Sequence, residues 1–138
     1  MTVHGGQLRL QTTGGGQVID ITEGVARVVS AAEVETGVAV VFAVGATVAV
    51  TTLEHEPGAV HDFRALLERL APSAAAYEHN RLNHDTNAHA HLRAALVGPS
   101  ESIPIVGGRM TLGTWQQLVL VDFDDRPRTR TVIVQVCA

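Results

Sequence analysis

The order of periodic segments predicts an α+β fold with strands and helices in segregated layers. Three observations lead there: β-branched or alternating runs at both ends of the chain, two amphipathic stretches of helical spacing between them, and no regular strand–helix–strand alternation. The 138 residues suffice for one domain, residues 1–138, and a hydrophobic fraction of 46% against 17% charged residues can fill a single packed core.

Residues 7–12 alternate polar with apolar side chains (Leu8, Leu10), the pattern of a half-buried strand. Gly14-Gly15-Gly16 breaks that run before Val18-Ile19-Asp20, so an opening hairpin is expected. The glycine run lacks the Lys-Ser/Thr ending of a phosphate-binding loop and reads as a turn. Thr22 is placed to cap a helix carrying Val25, Val28, Val29 and Ala32 on one face, with Gly37 placed to end it. Residues 38–44 and 47–52 read as two strands, or as one strand bent at Gly45-Ala46. After Pro57-Gly58, the residues Val60, Phe63, Leu66, Leu67 and Leu70 line a second helix that stops before Pro72. Glu54, His55, Glu56 and His61 gather near its start as solvated cap charges.

Residues 72–88 form a polar, aperiodic loop, a length that in a compact domain points to function or disorder. Residues 89–97 fit two patterns, helical through Leu92, Ala95 and Leu96, or extended through the alternating histidines. Three further strands are expected at 102–106, 117–123 and 129–136, the last two joined by the charged run Asp124-Asp125-Arg126-Pro127-Arg128.

A formal charge of −4 gives no basic footprint, and aromatics at 4% leave few stacking platforms, so nucleic acid is not an expected partner. The longest apolar stretch, residues 38–50, is too short to span a bilayer, and the N-terminus lacks signal-peptide character. The lone Cys137 can form no internal disulfide, and a cytoplasmic location without membrane partners is expected.

Four of the seven histidines lie between His79 and His91, beside Asp85 and Asn87. In a strand His89 and His91 would share a face, a common way for two imidazoles to grip one divalent ion, zinc foremost, with a third ligand from elsewhere. The competing reading is histidines that only hydrogen-bond or line a loop. Asp85 could be general base, ligand, or partner fixing an imidazole tautomer; as a loop aspartate it could equally cap backbone amides. Arg109, following Gly107-Gly108, could meet an anion or serve as an ordinary turn residue. Trp115, the one tryptophan, could wall a ligand pocket or belong to a core or subunit interface.

Several motifs run in the order and spacing of the YjbQ family (UPF0047): Tyr77-Glu78-His79, Asp85 through Leu92, Gly98-Pro99-Ser100, Pro104-Ile105, and Gly107 through Gln116. In the first half Val18-Ile19-Asp20-Ile21-Thr22 and Phe42 through Pro57 resemble it more loosely, so the likeness covers nearly the whole chain. The resemblance implies a two-layer β-sheet core with two main helices, a homotrimer, and histidine-rich pockets near subunit boundaries. It also implies metal ligands at His79, His89 and His91, and a thiamine-phosphate synthase reaction joining a pyrimidine methyl diphosphate to a thiazole phosphate. In that reaction Asp85 and Arg109 are the expected catalytic residues, and Asn87, Arg109 and Trp115 the substrate contacts, with cations neutralising the departing diphosphate. No carboxylate cluster suited to Mg²⁺ is present. The alternative is a non-catalytic trimer holding a metal or a small anionic metabolite. Two departures stand out: the family's His-Thr-Thr-Ala-Ser is Gly45-Ala46-Thr47-Val48-Ala49 here, and polar partners are lost at Leu53 and Thr86.

Overall fold

The computed structural model describes residues 1–138. Its elements follow in the order β1 (Val3–Thr12), β2 (Gln17–Asp20), α1 (Thr22–Ala31), β3 (Thr36–Val44), β4 (Val48–Leu53), α2 (Pro57–Leu70), α3 (Glu78–Asn83), α4 (Ala88–Val97), β5 (Ser100–Val106), β6 (Arg109–Met110), β7 (Gln117–Asp122) and β8 (Arg128–Cys137). The strands form two antiparallel sheets, one of five in the order β1-β8-β3-β5-β6 and one of three in the order β2-β7-β4. The α+β class is as expected. No helix is long and apolar enough to cross a membrane.

Burial explains the layering. One apolar cluster joins the inner face of the large sheet (Ala39, Val41, Val132, Val134) to Val25 and Val29 of α1 and to Val48, Val50, Leu118 and Leu120 of the small sheet. A second cluster packs the small sheet's other face (Ala49, Val119, Val121) against Leu67 of α2 and Ala90 and Ala94 of α4. The small sheet is therefore covered on both sides, so Leu118 through Val121 of its central strand read as an unbroken apolar run rather than an alternation. The large sheet is covered on one side only, and burial alternates along its strands, although β3 is apolar throughout residues 38–44.

Several expectations are corrected by this arrangement. The opening hairpin does not form, because β1 pairs with β8 and β2 with β7. The turn glycines still reverse the chain, but they carry it from one sheet to the other. Of the two readings of residues 38–44 and 47–52 the two-strand one holds, and the strands lie in different sheets. Thr22 opens α1 but is not its cap; its hydroxyl accepts from the Leu118 amide at 2.9 Å, tying the helix start to β7. Gly37 lies inside β3, where a Cβ would stand 2.3 Å from the Cys137 carbonyl oxygen, so it is needed for close strand approach and not for ending a helix. The helix count rises from two to four, since residues 78–83 and 88–97 are both helical. The cap at α2 is as expected: the Glu56 carboxylate accepts from Gly58 N at 3.2 Å and Ala59 N at 2.6 Å.

Candidate functional site

The helical state of residues 88–97 decides what the clustered histidines can do. Side chains two apart on a helix point about 200° from each other, so His89 and His91 do not share a face. His91 turns toward α3 and meets His79, the ring centroids 4.6 Å apart and the planes tilted by 47°. His89 turns the other way and is buried, with 8% of its surface exposed.

The α3–α4 junction is held by backbone and side-chain contacts that follow from local sequence. His84 ends α3 in the left-handed conformation at φ 52°, a role that glycine or asparagine usually fills. The Asn80 carbonyl accepts from Asp85 N at 3.1 Å, and its side-chain oxygen accepts from Ala88 N at 3.0 Å, satisfying a free amide in the first turn of α4. The Tyr77 hydroxyl donates to Pro72 O at 2.7 Å and fixes the approach to α3. Between the two helices lies a groove of about 400 Å³ lined by Tyr77, Glu78, His79, Ala88, His91 and Leu92. It combines an apolar wall with two imidazoles, each able to donate, accept or bind an ion through a ring nitrogen.

The buried side of α4 has a different chemistry. Burial first, and then the nearby Arg93 guanidinium, hold His89 below the ordinary imidazole value. Its Nδ1 and the Oδ1 of Asn87 are buried with no hydrogen-bond partner. One helical turn on, Arg93 donates through Nε (3.0 Å) and Nη2 (2.9 Å) to Ala71 O and pairs with Glu68, closing the end of α2 onto α4. The Ser73 amide and then Arg93 hold the Glu68 carboxyl below its usual range.

The remaining predicted site residues are dispersed. Asp85 accepts from Thr86 N at 2.8 Å and stands 3.9 Å from Arg126, the local capping role rather than a place in the histidine groove. Arg109 lies on β6 beside α1, in a cavity shared with Thr22, Ala26 and Val29. Trp115 is 73% exposed in the connection between β6 and β7. The structure thus brings together His79 and His91 alone of the predicted set, and no group of three or more His, Cys, Asp or Glu side chains gathers within metal-binding reach. The single chain does not complete the three-histidine centre.

Sequence reasoning missed the buried charges around the small sheet's end. Arg130 donates from Nε to Asp122 Oδ2 at 2.7 Å and from Nη2 to Asp122 Oδ1 at 2.9 Å and to Thr47 Oγ1 at 2.6 Å. Asp122 also accepts from the Thr12 hydroxyl, and Asp124 from Thr47 and Arg128. Burial pushes both carboxyls up, but these bonds outweigh it, leaving Asp122 below its usual value and Asp124 at about 2. The signal available was the alternation of acids through Val121-Asp122-Phe123-Asp124 and of arginines at 128 and 130, inside segments otherwise apolar enough to be core.

The model of UPF0047 protein YjbQ-like matches residues 6–138. The chain is 40% identical over 129 residues to a UPF0047 protein of Archaeoglobus fulgidus, covering 94% of this chain and 98% of the relative. It is 30% identical to the UPF0047 protein YugU of Bacillus subtilis, over 94% and 96% of the two chains. Among solved structures it is similar to a YbjQ-like protein of unknown function from Sulfolobus solfataricus (TM-score 0.93, 28% identity, 98% and 96% covered). A YjbQ/UPF0047-family protein of Clostridium acetobutylicum superposes with a TM-score of 0.86 at 35% identity, covering 95% and 98%. With its motifs, its two sheets and its four helices, the chain belongs to the YjbQ-like UPF0047 family.

Proposed function

We propose that the groove between α3 and α4 is the functional site and that it holds a small phosphorylated molecule, within a homotrimer of this chain. The observation that carries the reading is the His79–His91 pair, two imidazoles 4.6 Å apart opening on about 400 Å³. Two rings this close can donate to one phosphate together, a convergence that a single imidazole does not offer. Ala88, Leu92 and the Tyr77 ring supply the apolar wall that a heterocycle needs.

Thiamine-phosphate formation is the candidate reaction, with His79 and His91 neutralising the phosphates. One placement favours binding without turnover: Arg109, the cation expected at the departing diphosphate, lies against α1 and not beside the imidazoles. A divalent ion, zinc foremost, would take two imidazoles from this chain and need its other ligands from the bound molecule or a second subunit.

Calorimetric titration of wild type and His91→Ala with the pyrimidine diphosphate, the thiazole phosphate and zinc tests the site. Affinity for a phosphorylated compound that falls about tenfold or more in His91→Ala, equivalent to about 1.4 kcal/mol, is the expected result. Binding indifferent to that substitution, or no binding at all, overturns the reading. Product formed by wild type and lost in His91→Ala would promote the binding site to a synthase.

A further inference from the structure

We propose that the cavity between α2 and the Gly14-Gly15-Gly16 turn binds a small organic monoanion, a carboxylate carried on an apolar body. This cavity, of about 420 Å³, is distinct from the imidazole groove. Arg93 reaches it from the side of α4 opposite His91, since residues two apart on a helix point about 200° from each other.

Three elements build the walls. Pro57, Val60, Arg64 and Leu67 recur at helical spacing along one face of α2, Gly15 and Gly16 line the cavity from the turn, and Phe123 follows the end of β7. Leu67 and Phe123 rise from the second apolar cluster and give the cavity an apolar floor. The amides that could form an anion nest are already engaged. Gly15 N and Gly16 N donate to Asp124 O and Asp122 O at 2.7 and 2.8 Å, and Gly58 N and Ala59 N donate to the Glu56 carboxylate. A negative charge in this cavity must therefore be met by side chains.

Two arginines are placed to meet it. Arg64 donates through Nη2 to Gly15 O at 2.9 Å, pairs with no carboxylate, and keeps its Nε and Nη1 donors. Arg93 is only 8% exposed, its Nε and Nη2 held by Ala71 O and Glu68. Its Nη1 bonds to nothing in the chain. Asn87 Oδ1 and His89 Nδ1 are the two sealed side-chain atoms without a partner, so Arg93 Nη1 stays open to the cavity that Arg93 lines. A guanidinium this deeply buried with two N–H groups unused is desolvated and still unsatisfied, and a carboxylate oxygen supplies the missing acceptor. Each arginine is already held by a backbone carbonyl, so little side-chain freedom is lost when an anion arrives.

Charge and shape choose the ligand class. Two guanidiniums face the single carboxylate of Glu68, which leaves one positive charge unopposed; His61 at the rim is matched by Asp62 at 3.0 Å. That balance suits a monoanion. A phosphate dianion would set its second charge against Glu68, which the Ser73 amide and Arg93 keep ionised. A cationic ligand would meet two arginines. The planar fork of a guanidinium matches a carboxylate, and Pro57, Val60, Leu67 and Phe123 offer an apolar body its contacts. A volume of about 420 Å³ stands near the lower end of ligand pockets, so the molecule is small.

The experiment is calorimetric titration of the full chain with phenylacetate, with its uncharged isostere phenylacetamide, and with inorganic phosphate, on wild type, Arg64→Gln and His91→Ala. Arg64 is exposed, and far-UV circular dichroism checks that its variant folds. Phenylacetate should bind wild type, lose about tenfold or more of its affinity in Arg64→Gln, and bind His91→Ala as it binds wild type. Phenylacetamide should bind wild type at least about tenfold more weakly than the acid, a comparison that needs no variant. Wild type that takes up no phenylacetate at millimolar concentration overturns the proposal, as does an amide that binds as tightly as the acid. Affinity that survives in folded Arg64→Gln overturns the site. Affinity lost in His91→Ala instead moves the ligand to the imidazole groove and likewise overturns it. Inorganic phosphate binding as tightly as phenylacetate overturns the monoanion class.

Discussion

Arg130→Met tests whether the buried charge network holds the two sheets together. In the folded chain Arg130 is 8% exposed and Asp122 fully buried, joined by two near-parallel hydrogen bonds of 2.7 and 2.9 Å. Methionine keeps most of the aliphatic volume but leaves the Asp122 carboxylate with only the Thr12 hydroxyl and the Asp124 amide. Removing one partner of a buried pair costs about 3–5 kcal/mol, because the other charge remains desolvated. Set against a total stability of roughly 5–15 kcal/mol this is a large fraction. At roughly 3 °C per kcal/mol for a chain of this length, Tm should fall by on the order of 10 °C. Urea unfolding at fixed protein concentration reads it directly, and Asp122→Asn/Arg130→Met should recover at least about 1 kcal/mol of the loss, since the stranded charge is gone. The pH dependence gives a second check. In wild type the depressed Asp122 carboxyl contributes stability above its ordinary value near 3.8 and loses it as pH falls through the folded value. Without Arg130 that carboxyl rises, so the gap between wild type and variant should narrow on acidification. A single variant within about 1 kcal/mol of wild type, or a double variant no better than the single, would refute the reasoning.

Gly14→Ala should cost more than about 2 kcal/mol, since φ is +75° and the new Cβ would stand 2.5 Å from Asp124 O, whereas Gly15→Ala, at φ +68° with open space around it, should cost about 1 kcal/mol. Chemical denaturation of the pair separates backbone collision from conformational preference, and equal costs would contradict the close approach. His89 titrates below the ordinary 6.5, so the unfolded chain takes up its proton first: the stability it contributes is complete above pH 6.5 and is lost as pH falls from there through the folded value. His89→Leu should flatten the fall in urea midpoint between about pH 7.5 and about pH 5.5; an unchanged slope assigns the dependence to another group.

The elements were legible wherever one periodicity dominated. α1 and α2 declared themselves through a single apolar face, and β1 and β8 through alternation, because each has one buried side and one open side. What order along the chain could not supply was pairing. β7 and β8 adjoin in sequence and lie in different sheets, as do β3 and β4, and the pairing is set by which apolar rows face each other across the core. α4 was ambiguous for a physical reason: Ala88, His89, Ala90, Arg93 and Ala94 are all buried, so nearly every position carries some core signal and the polar histidines fall on a pattern that alternates. Exposed Leu92 and Leu96 on the opposite side blur the helical stripe further.

The same ambiguity governs the site. A strand would have aimed His89 and His91 at one ion; the helix instead separates them, giving His91 to the groove and His89 to the buried contact with Arg93. The altered first-half motif fits this division. Gly45, the position at which the resemblance led to a histidine being expected, has φ +146°, and a Cβ there would lie 2.8 Å from Arg130 Nη1 and 3.0 Å from Val48 Cγ1. The space is therefore taken by the guanidinium that holds Asp122 and Thr47, and no side chain can return to position 45 without moving it. Position 45 therefore supplies no imidazole to any site, because the space beside its backbone belongs to the buried charges that join the two sheets.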